Sequence, residues 1–255
     1  MRVTLFKIGS FSVKGYGFMI GIGFLVALIV GSYRAKKKGM SDEAVIDLAL
    51  LCGILGFTGA KVLYILTVIP QFIEDPLSVL GSSGFVVYGG ILSGVGVALI
   101  YCKKKKLSFW EYFDLILPEV AIAQGFGRIG CFLAGCCYGR HTDAFFGVTF
   151  PKGSMAPAGV KLIPTQLFSA VGDLLIAVIL IIFSKKAKVK GDVGGLYMIL
   201  YGVGRFIIEF FRNDYRGAVG FFSTSQFISI FIVIFGIGVM CFQRRKKETT
   251  KAQED

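Results

Sequence analysis

The chain has 255 residues, of which 55% are hydrophobic, and its formal net charge is +12. Soluble domains rarely reach this apolar fraction, so the composition excludes an ordinary soluble protein and indicates an integral membrane protein. The positive charge does not indicate nucleic-acid binding. Lysines and arginines cluster just outside the apolar runs, where they set membrane topology and suit anionic lipid headgroups.

Apolar segments of membrane-spanning length follow one another along the chain. A helix needs about 20 residues to cross a bilayer, and the glycines within these segments favour close helix packing. The segments cover residues 16–33, 45–69, 84–102, 113–134, 164–184, 193–211 and 221–242. We therefore predict an all-α integral membrane protein with a bundle of seven transmembrane helices.

The distribution of basic residues predicts the topology. Lysine and arginine concentrate in four connections, at residues 34–38, 103–106, 185–190 and 244–247. These alternate with connections poor in positive charge, so the positive-inside rule places the N-terminus outside and the C-terminus in the cytoplasm. We predict a single membrane domain at residues 1–243 with an outer-face loop at about 135–163. Residues 244–255 are predicted to be a charged, disordered cytoplasmic tail.

The end of the fourth segment combines an arginine with three cysteines. An ionised side chain at membrane depth is costly, so it usually faces a polar partner, a cavity or a substrate. Gln124, Arg128 and Cys131 share one helix face by their spacing. A guanidinium binds phosphate oxygens in a bidentate manner, which makes Arg128 a candidate phosphate ligand. Snorkelling of Arg128 to the membrane interface is the alternative.

The sixth segment carries a polar stripe on an otherwise apolar helix. Tyr201, Arg205 and Glu209 are spaced four residues apart. An ion pair between Arg205 and Glu209 accounts for part of this pattern as a structural feature. The continuation of the stripe to Tyr201 and Arg212 favours a polar cavity. Other carboxylates inside apolar segments are expected to pair with the arginines: Asp114, Glu119 and Asp173.

Cys131, Cys136, Cys137 and the only histidine, His141, lie within eleven residues. This spacing is not a familiar zinc pattern, so we predict no metal here. Three alternatives remain open: a disulfide on the oxidising outer face, buried thiols, and a reactive thiolate near Arg128 or Arg140. We expect the three cysteines to line or border a cavity.

Residues in earlier segments complete the candidates. Tyr16 begins the first segment, where aromatic side chains commonly mark the membrane interface. Tyr88 precedes Gly89 and Gly90, which either let a ligand approach the backbone or allow tight helix packing. Lys61, in the second segment, either snorkels to the interface or neutralises a lipid headgroup.

Several motifs in order carry a family resemblance. They are KGYGFMIGI, GAKVLYIL, YGGILSG, FWEYFDLILPEVAIAQGFGRIGCF, PTQLF, YGVGRFIIEFFRND and STSQFISI. Over nearly its whole length the chain resembles the prolipoprotein diacylglyceryl transferases, a seven-span bacterial family. The resemblance implies transfer of a diacylglyceryl group from phosphatidylglycerol to the lipobox cysteine thiol of a prolipoprotein, with release of glycerol phosphate.

The resemblance also implies roles for individual residues. The family's arginine pair maps onto Arg128 and Arg205, its cavity tyrosines onto Tyr16 and Tyr201, and its buried glutamate onto Glu209. With the residues considered above, the catalytic candidates are Arg128, Arg205, Tyr201 and Tyr88. The candidates for phospholipid contact are Tyr16, Arg128, Gly89, Gly90, Gln124, Glu209 and Lys61. The chain departs from the family pattern at four positions, one of which is Ala134 in place of a second Asn. Cys131 and Cys136 stand where the family has Asn and Glu, and Tyr88 stands where it commonly has a catalytically important His.

The expected protein is therefore a multi-pass transferase of the bacterial cytoplasmic (inner) membrane, acting in lipoprotein biosynthesis with its active site toward the outer leaflet. Its expected partners are phosphatidylglycerol, the prolipoprotein signal peptide and membrane lipids, with no nucleic acid and no cofactor. Two alternatives remain: a related phospholipid-dependent transferase with another acceptor, and a non-catalytic lipid-binding or transport protein.

Overall fold

The computed structural model describes residues 3–9, 11–213 and 217–254, and these are mostly helical. Its helices are α1 (Gly15–Lys37), α2 (Asp42–Thr67), α3 (Ile69–Glu74), α4 (Pro76–Gly81), α5 (Val87–Lys104), α6 (Phe109–Ala134), α7 (Thr165–Phe183), α8 (Asp192–Glu209) and α9 (Thr224–Glu254). Its strands are β1 (Thr4–Ile8), β2 (Phe11–Lys14), β3 (Val148–Thr149), β4 (Lys161–Leu162), β5 (Ala218–Val219) and β6 (Phe222–Ser223). Each consecutive strand pair forms an antiparallel two-stranded sheet.

A long helix lies on each of the seven predicted apolar segments. Five of them, α1, α2, α6, α7 and α9, are long and apolar enough to cross a membrane. Helices α5 and α8 have 18 residues each. Helix α5 ends in two lysines, and α8 carries three charged side chains. The chain is therefore a mostly helical membrane protein, and the count of seven spans stays a prediction.

The basic C-terminal tail differs from its predicted state. Helix α9 begins at Thr224 and continues to Glu254, without a break after the apolar segment. The expectation of disorder for residues 244–255 is wrong over the described part of this tail. Continuation of an existing helix avoids the cost of nucleation, and lysine, arginine and glutamate are all good helix formers.

The chain divides by its contacts into two compact units. The first comprises Met1–Val30 and Phe113–Asp255, and the second comprises Gly31–Tyr112. The core of the first unit contains Ala121, Ile122, Ala177, Leu180, Val193 and Tyr197, which come from α6, α7 and α8. The arginines and cysteines singled out above all belong to the first unit.

Helix α8 is attached to α6 through a buried carboxylate. Asp114 accepts hydrogen bonds from the backbone N–H groups of Gly191, at 2.7 Å, and Gly194, at 2.8 Å. These donors lie at the N-terminus of α8, where backbone N–H groups lack helical partners and a negative charge is favourable. Asp114 therefore fixes the start of the helix that carries the polar stripe.

In the second unit, α2 and α5 pack through glycines. A Cβ atom on Gly89 would collide with the carbonyl oxygen of Gly59, and one on Gly90 would lie 3.0 Å from the carbonyl oxygen of Gly56. Small residues at such crossings let two helix backbones approach closely. Tight helix packing thus accounts for Gly89 and Gly90, while their contact with a lipid stays a prediction.

The segment between α6 and α7 has a small core of its own. Phe150, Ala156 and Leu162 are buried there, and Phe132 and Tyr138 pack against them. Strands β3 and β4 pair within this segment. The segment is thereby ordered beside the end of α6, where the three cysteines lie.

Candidate functional site

The polar stripe of α8 forms a buried network of charges. Arg205 Nη2 lies 2.9 Å from Glu209 Oε2 and donates to Ser225 Oγ at 2.8 Å. Arg212 Nε lies 3.9 Å from the same Glu209 oxygen. Ser223 Oγ donates to Glu209 Oε1 at 3.1 Å. The side chains of Arg205, Glu209 and Arg212 are only 12%, 7% and 3% exposed, so this carboxylate compensates two buried cations.

Arg128 on α6 is held more loosely than Arg205. Its Nε lies 3.9 Å from Asp173 Oδ2 on α7, and its side chain is 23% exposed. Asp173 and Tyr201 interact electrostatically with both Arg128 and Arg205. The structure therefore brings together Arg128, Arg205 and Tyr201, which are far apart in the sequence.

Three guanidinium groups gather here with two carboxylates. Among the described residues, the guanidinium groups are those of Arg128, Arg205 and Arg212, and the carboxylates are those of Asp173 and Glu209. Guanidinium groups in a poorly solvated place favour an anionic ligand, and their geometry matches phosphate oxygens.

A pair of stacked tyrosines adjoins the charged group. The rings of Tyr197 and Tyr201 lie 5.7 Å apart and are nearly parallel, at 13°. The Tyr197 hydroxyl donates to Gln124 Oε1 at 2.7 Å, which joins α8 to α6. Sequence reasoning missed Tyr197. Tyr197 lies one helical turn before Tyr201 and so continues the polar stripe. This spacing is the sequence signal that identifies it as a candidate.

The thiol cluster consists of Cys131, Cys136 and Cys137. Their Sγ atoms all lie within 4.8 Å of one another, and all three residues are free cysteines. Cys131 is buried at the end of α6, and the other two are half-buried in the turn that follows. Gly135 makes this turn with a φ of +76°, a left-handed conformation that favours glycine. The three thiols therefore lie together, while their place at the border of a cavity stays a prediction.

The turn is held in place by buried side chains of α7. Gln166 Nε2 donates to the carbonyl oxygen of Cys136 at 2.7 Å, and Thr165 Oγ1 donates to that of Cys137 at 2.8 Å. Hydrogen bonds with the Cys131 and Cys136 thiols, and then the Arg212 guanidinium, lower the pKa of the Cys137 thiol. The cluster is thus connected to the same arginine that pairs with the α8 carboxylate.

Tyr16, at the start of α1, lies beside the thiol cluster. A Cβ atom on Gly130 would lie 3.1 Å from the backbone oxygen of Tyr16 and 3.2 Å from its ring. Tyr16 interacts electrostatically with Arg128 and with all three thiols. The absence of a side chain at Gly130 is what allows α1 and α6 to meet here.

His141 differs from the thiols in its surroundings. Its Nε2 lies 3.9 Å from Asp143 Oδ1, and its side chain is largely exposed. The described residues therefore group the three thiols without this histidine.

The remaining candidates belong to the second unit. Lys61 Nζ donates to the Ser82 carbonyl at 2.7 Å and to the Gly84 carbonyl at 3.3 Å, and it lies 4.8 Å from the centre of the Phe85 ring. The ammonium group therefore holds the segment before α5. Tyr88, at the start of α5, is exposed. Lipid contacts of Lys61 and Tyr88 stay predictions.

Comparison with known proteins places the chain in a family. The family model described as prolipoprotein diacylglyceryl transferase matches residues 3–242. A phosphatidylglycerol–prolipoprotein diacylglyceryl transferase of Clostridium tetani is 46% identical over 250 residues, covering 97% of this chain and 100% of the relative. Two such enzymes of Clostridium perfringens, numbered 2 and 1, are 45% and 33% identical. The first comparison covers 93% of both chains, and the second covers 93% of this chain and 92% of the relative. The chain belongs to the prolipoprotein diacylglyceryl transferase family.

Proposed function

We propose that the protein transfers the diacylglyceryl group of phosphatidylglycerol to the lipobox cysteine of a prolipoprotein and releases glycerol phosphate. The similarity to enzymes named for this reaction extends over nearly the whole chain. The observation that carries the proposal is the grouping of Arg128, Arg205 and Tyr201, with both guanidinium groups largely buried. An anionic phospholipid headgroup matches these cations.

The two arginines have different roles in this proposal. Arg205 is fixed by Glu209 and Ser225, so its guanidinium is preorganised toward the donor phosphate. Among the described residues, Arg128 pairs through Nε with Asp173 at 3.9 Å. Its two terminal nitrogens can therefore bind phosphate oxygens in a bidentate manner. Both stabilise the negative charge that grows on glycerol phosphate as the glyceryl carbon–oxygen bond breaks, a preorganised electrostatic effect.

The aromatic and amide side chains position the reactants. Tyr201 interacts with both arginines and stacks on Tyr197, so its hydroxyl is directed within the charged group. Gln124 fixes Tyr197 through its hydrogen bond. We assign donor or headgroup contacts also to Tyr16, as the resemblance implies, and to Gly89, Gly90 and Lys61 from their sequence positions. Tyr88 stays a catalytic candidate. The three cysteines border the donor site and are not the nucleophile, because the acceptor supplies its own thiol.

The same proposal includes the arrangement in the membrane. All seven long helices cross the bilayer of the bacterial inner membrane, with the N-terminus outside and the basic C-terminal tail in the cytoplasm. The ends of α6 and α8 that carry the arginines then face the outer leaflet. There the enzyme meets both phosphatidylglycerol and a signal peptide that has crossed the membrane.

A reconstituted assay tests the function. The full-length protein in liposomes containing phosphatidylglycerol receives a lipobox peptide, and a peptide with serine in place of its cysteine is the control. We expect a diacylglyceryl thioether on the cysteine peptide only, detected by mass, with an equal amount of glycerol phosphate. Absence of the thioether would refute the proposal.

A further inference from the structure

Two of the three clustered thiols lie on a turn whose backbone is strained and is held by buried side chains. Cys137 has a φ of +60°, a left-handed conformation that is unfavourable for a residue with a side chain. Buried Thr165 and Gln166 hold the carbonyl groups on this strained turn. Backbone strain maintained by its surroundings is typical of functional positions. Here the strained turn brings two consecutive thiols next to Cys131, on the preceding helix.

Sequence spacing predicted no metal at these cysteines, but the positions of their sulfur atoms suit one soft metal ion. Zinc–sulfur bonds of about 2.3 Å in a tetrahedral site place the sulfur atoms about 3.8 Å apart. The three Sγ atoms already lie within 4.8 Å of one another, so shifts of about 1 Å or less close the site. A disulfide would join only two of the three thiols and leave the third unused.

The surrounding charges suit a metal bound by three thiolates. One Zn²⁺ with three thiolates has an excess of one negative charge. Arg212 interacts electrostatically with Cys137, and Arg128 interacts in the same way with Cys131 and Cys137. Both arginines can balance that charge, so the cations near the cluster favour a metal–thiolate centre.

We propose that Cys131, Cys136 and Cys137 bind one zinc ion whose fourth ligand position takes the acceptor thiol. Three protein ligands with one open position are typical of catalytic rather than structural zinc. A thiol that binds the metal loses its proton and becomes the nucleophilic thiolate. The site therefore supplies activation of the acceptor thiol beside the group that stabilises the leaving phosphate.

The proposed step rests on the proposed function, and every bond formed in it is matched by a bond broken. The metal-bound sulfur forms a bond to the glyceryl carbon of phosphatidylglycerol, and the bond from that carbon to the phosphate oxygen breaks. The bonding electrons leave with glycerol phosphate, which Arg128 and Arg205 stabilise. The thiol proton passes to water when the acceptor binds, and zinc keeps its charge throughout. The thioether product is a weaker ligand than a thiolate and dissociates.

Cobalt binding tests the site independently of turnover. The full-length protein, purified with reduced thiols and stripped of metal, is titrated with Co²⁺. We expect one bound ion with thiolate-to-cobalt charge-transfer absorption. Ser substitution of any one cluster cysteine should weaken binding about tenfold or more. Cys241→Ser is the matched control, because Cys241 is an exposed cysteine on α9 outside the cluster.

Addition of the lipobox peptide tests the open position. The cysteine peptide should change the cobalt spectrum, and the serine peptide should not. Parent protein that binds no cobalt, or a spectrum unaffected by the cysteine peptide, would overturn the proposal. So would thiol titration that finds two cluster cysteines joined in a disulfide in protein purified without reductant. These readings use the parent protein, so a variant that fails to fold does not affect them.

Metal removal separates the two proposals. Stripped protein should lose at least about a hundredfold in transfer rate and recover it with Zn²⁺. Full transfer by stripped protein would leave the proposed function intact and refute the zinc site. A peptide-dependent cobalt spectrum without any transfer would instead support the site and refute the proposed function.

Discussion

Replacement of Glu209 by glutamine is the most direct test of the charge network on α8. The carboxylate lies 2.9 Å from Arg205 Nη2 and 3.9 Å from Arg212 Nε, and all three side chains are buried. Glutamine keeps the size of the side chain and can still accept from Ser223. The change therefore removes one negative charge and leaves two buried cations without their shared partner.

The expected cost follows from the loss of one partner of a buried ion pair, which is about 3–5 kcal/mol. Arg205 keeps its hydrogen bond to Ser225, so we expect the lower end of this range, about 3 kcal/mol. At about 1.4 kcal/mol per factor of ten, this lowers the ratio of folded to unfolded protein roughly a hundredfold.

The assay is thermal unfolding in detergent, with and without added lipid. Glu209→Gln should unfold at a clearly lower temperature than the parent. Phosphatidylglycerol should restore more of this loss than zwitterionic phosphatidylcholine, because a bound phosphate replaces the missing negative charge. Asp42→Asn is the matched control: it removes a carboxylate from the exposed pair with Lys36, where only a small change is expected. Unchanged stability of Glu209→Gln, or equal rescue by both lipids, would refute the reasoning.

Further predictions concern catalysis, packing and topology. Arg128→Ala should lower transfer by about two orders of magnitude or more, and Arg128→Lys should recover only part of it, as measured with the lipobox peptide. Gly89→Ala should destabilise the protein by about 1–3 kcal/mol through its clash with α2, whereas Gly94→Ala, in open space on the same helix, should not. A thermal unfolding scan measures this. Lost transfer with unchanged stability would instead indicate a lipid contact at Gly89. A cysteine introduced at Lys104 should react with a membrane-impermeant thiol reagent only from the cytoplasmic side. A cysteine introduced at Met155 should react only from outside. The reverse pattern would overturn the predicted topology.

Much of the helical architecture was predictable because apolar length is a strong signal. The segment predicted at 113–134 is α6 from Phe109 to Ala134, and the one at 164–184 is α7 from Thr165 to Phe183. Short helices were not predictable in the same way. Helices α3 and α4 interrupt the connection after α2, and each has a proline in its first turn, which a search for long apolar segments does not detect.

The candidate site was predictable where its residues share a helix and not where they depend on tertiary contacts. The period of α8 directly aligns Tyr201 with Arg205 and Glu209, and the structure confirms the ion pair. The partners of Lys61 lie in a segment about twenty residues away, so its position in the sequence suggested a lipid contact instead. The thiols could not be grouped with certainty from spacing, because the left-handed turn at Gly135 decides where they point.

A contact between α6 and α8 explains why Arg128 and Arg205 lie at similar distances along their helices. Asp114 binds the backbone of Gly191, and each lies fourteen residues before its arginine, Arg128 or Arg205. At 1.5 Å per residue, both arginines lie about 21 Å along their helices from this shared contact. The contact between Gln124 and Tyr197 lies between the two levels, which indicates that the helices run in the same direction. A carboxylate far from the charged group therefore sets the register in which the two cations meet.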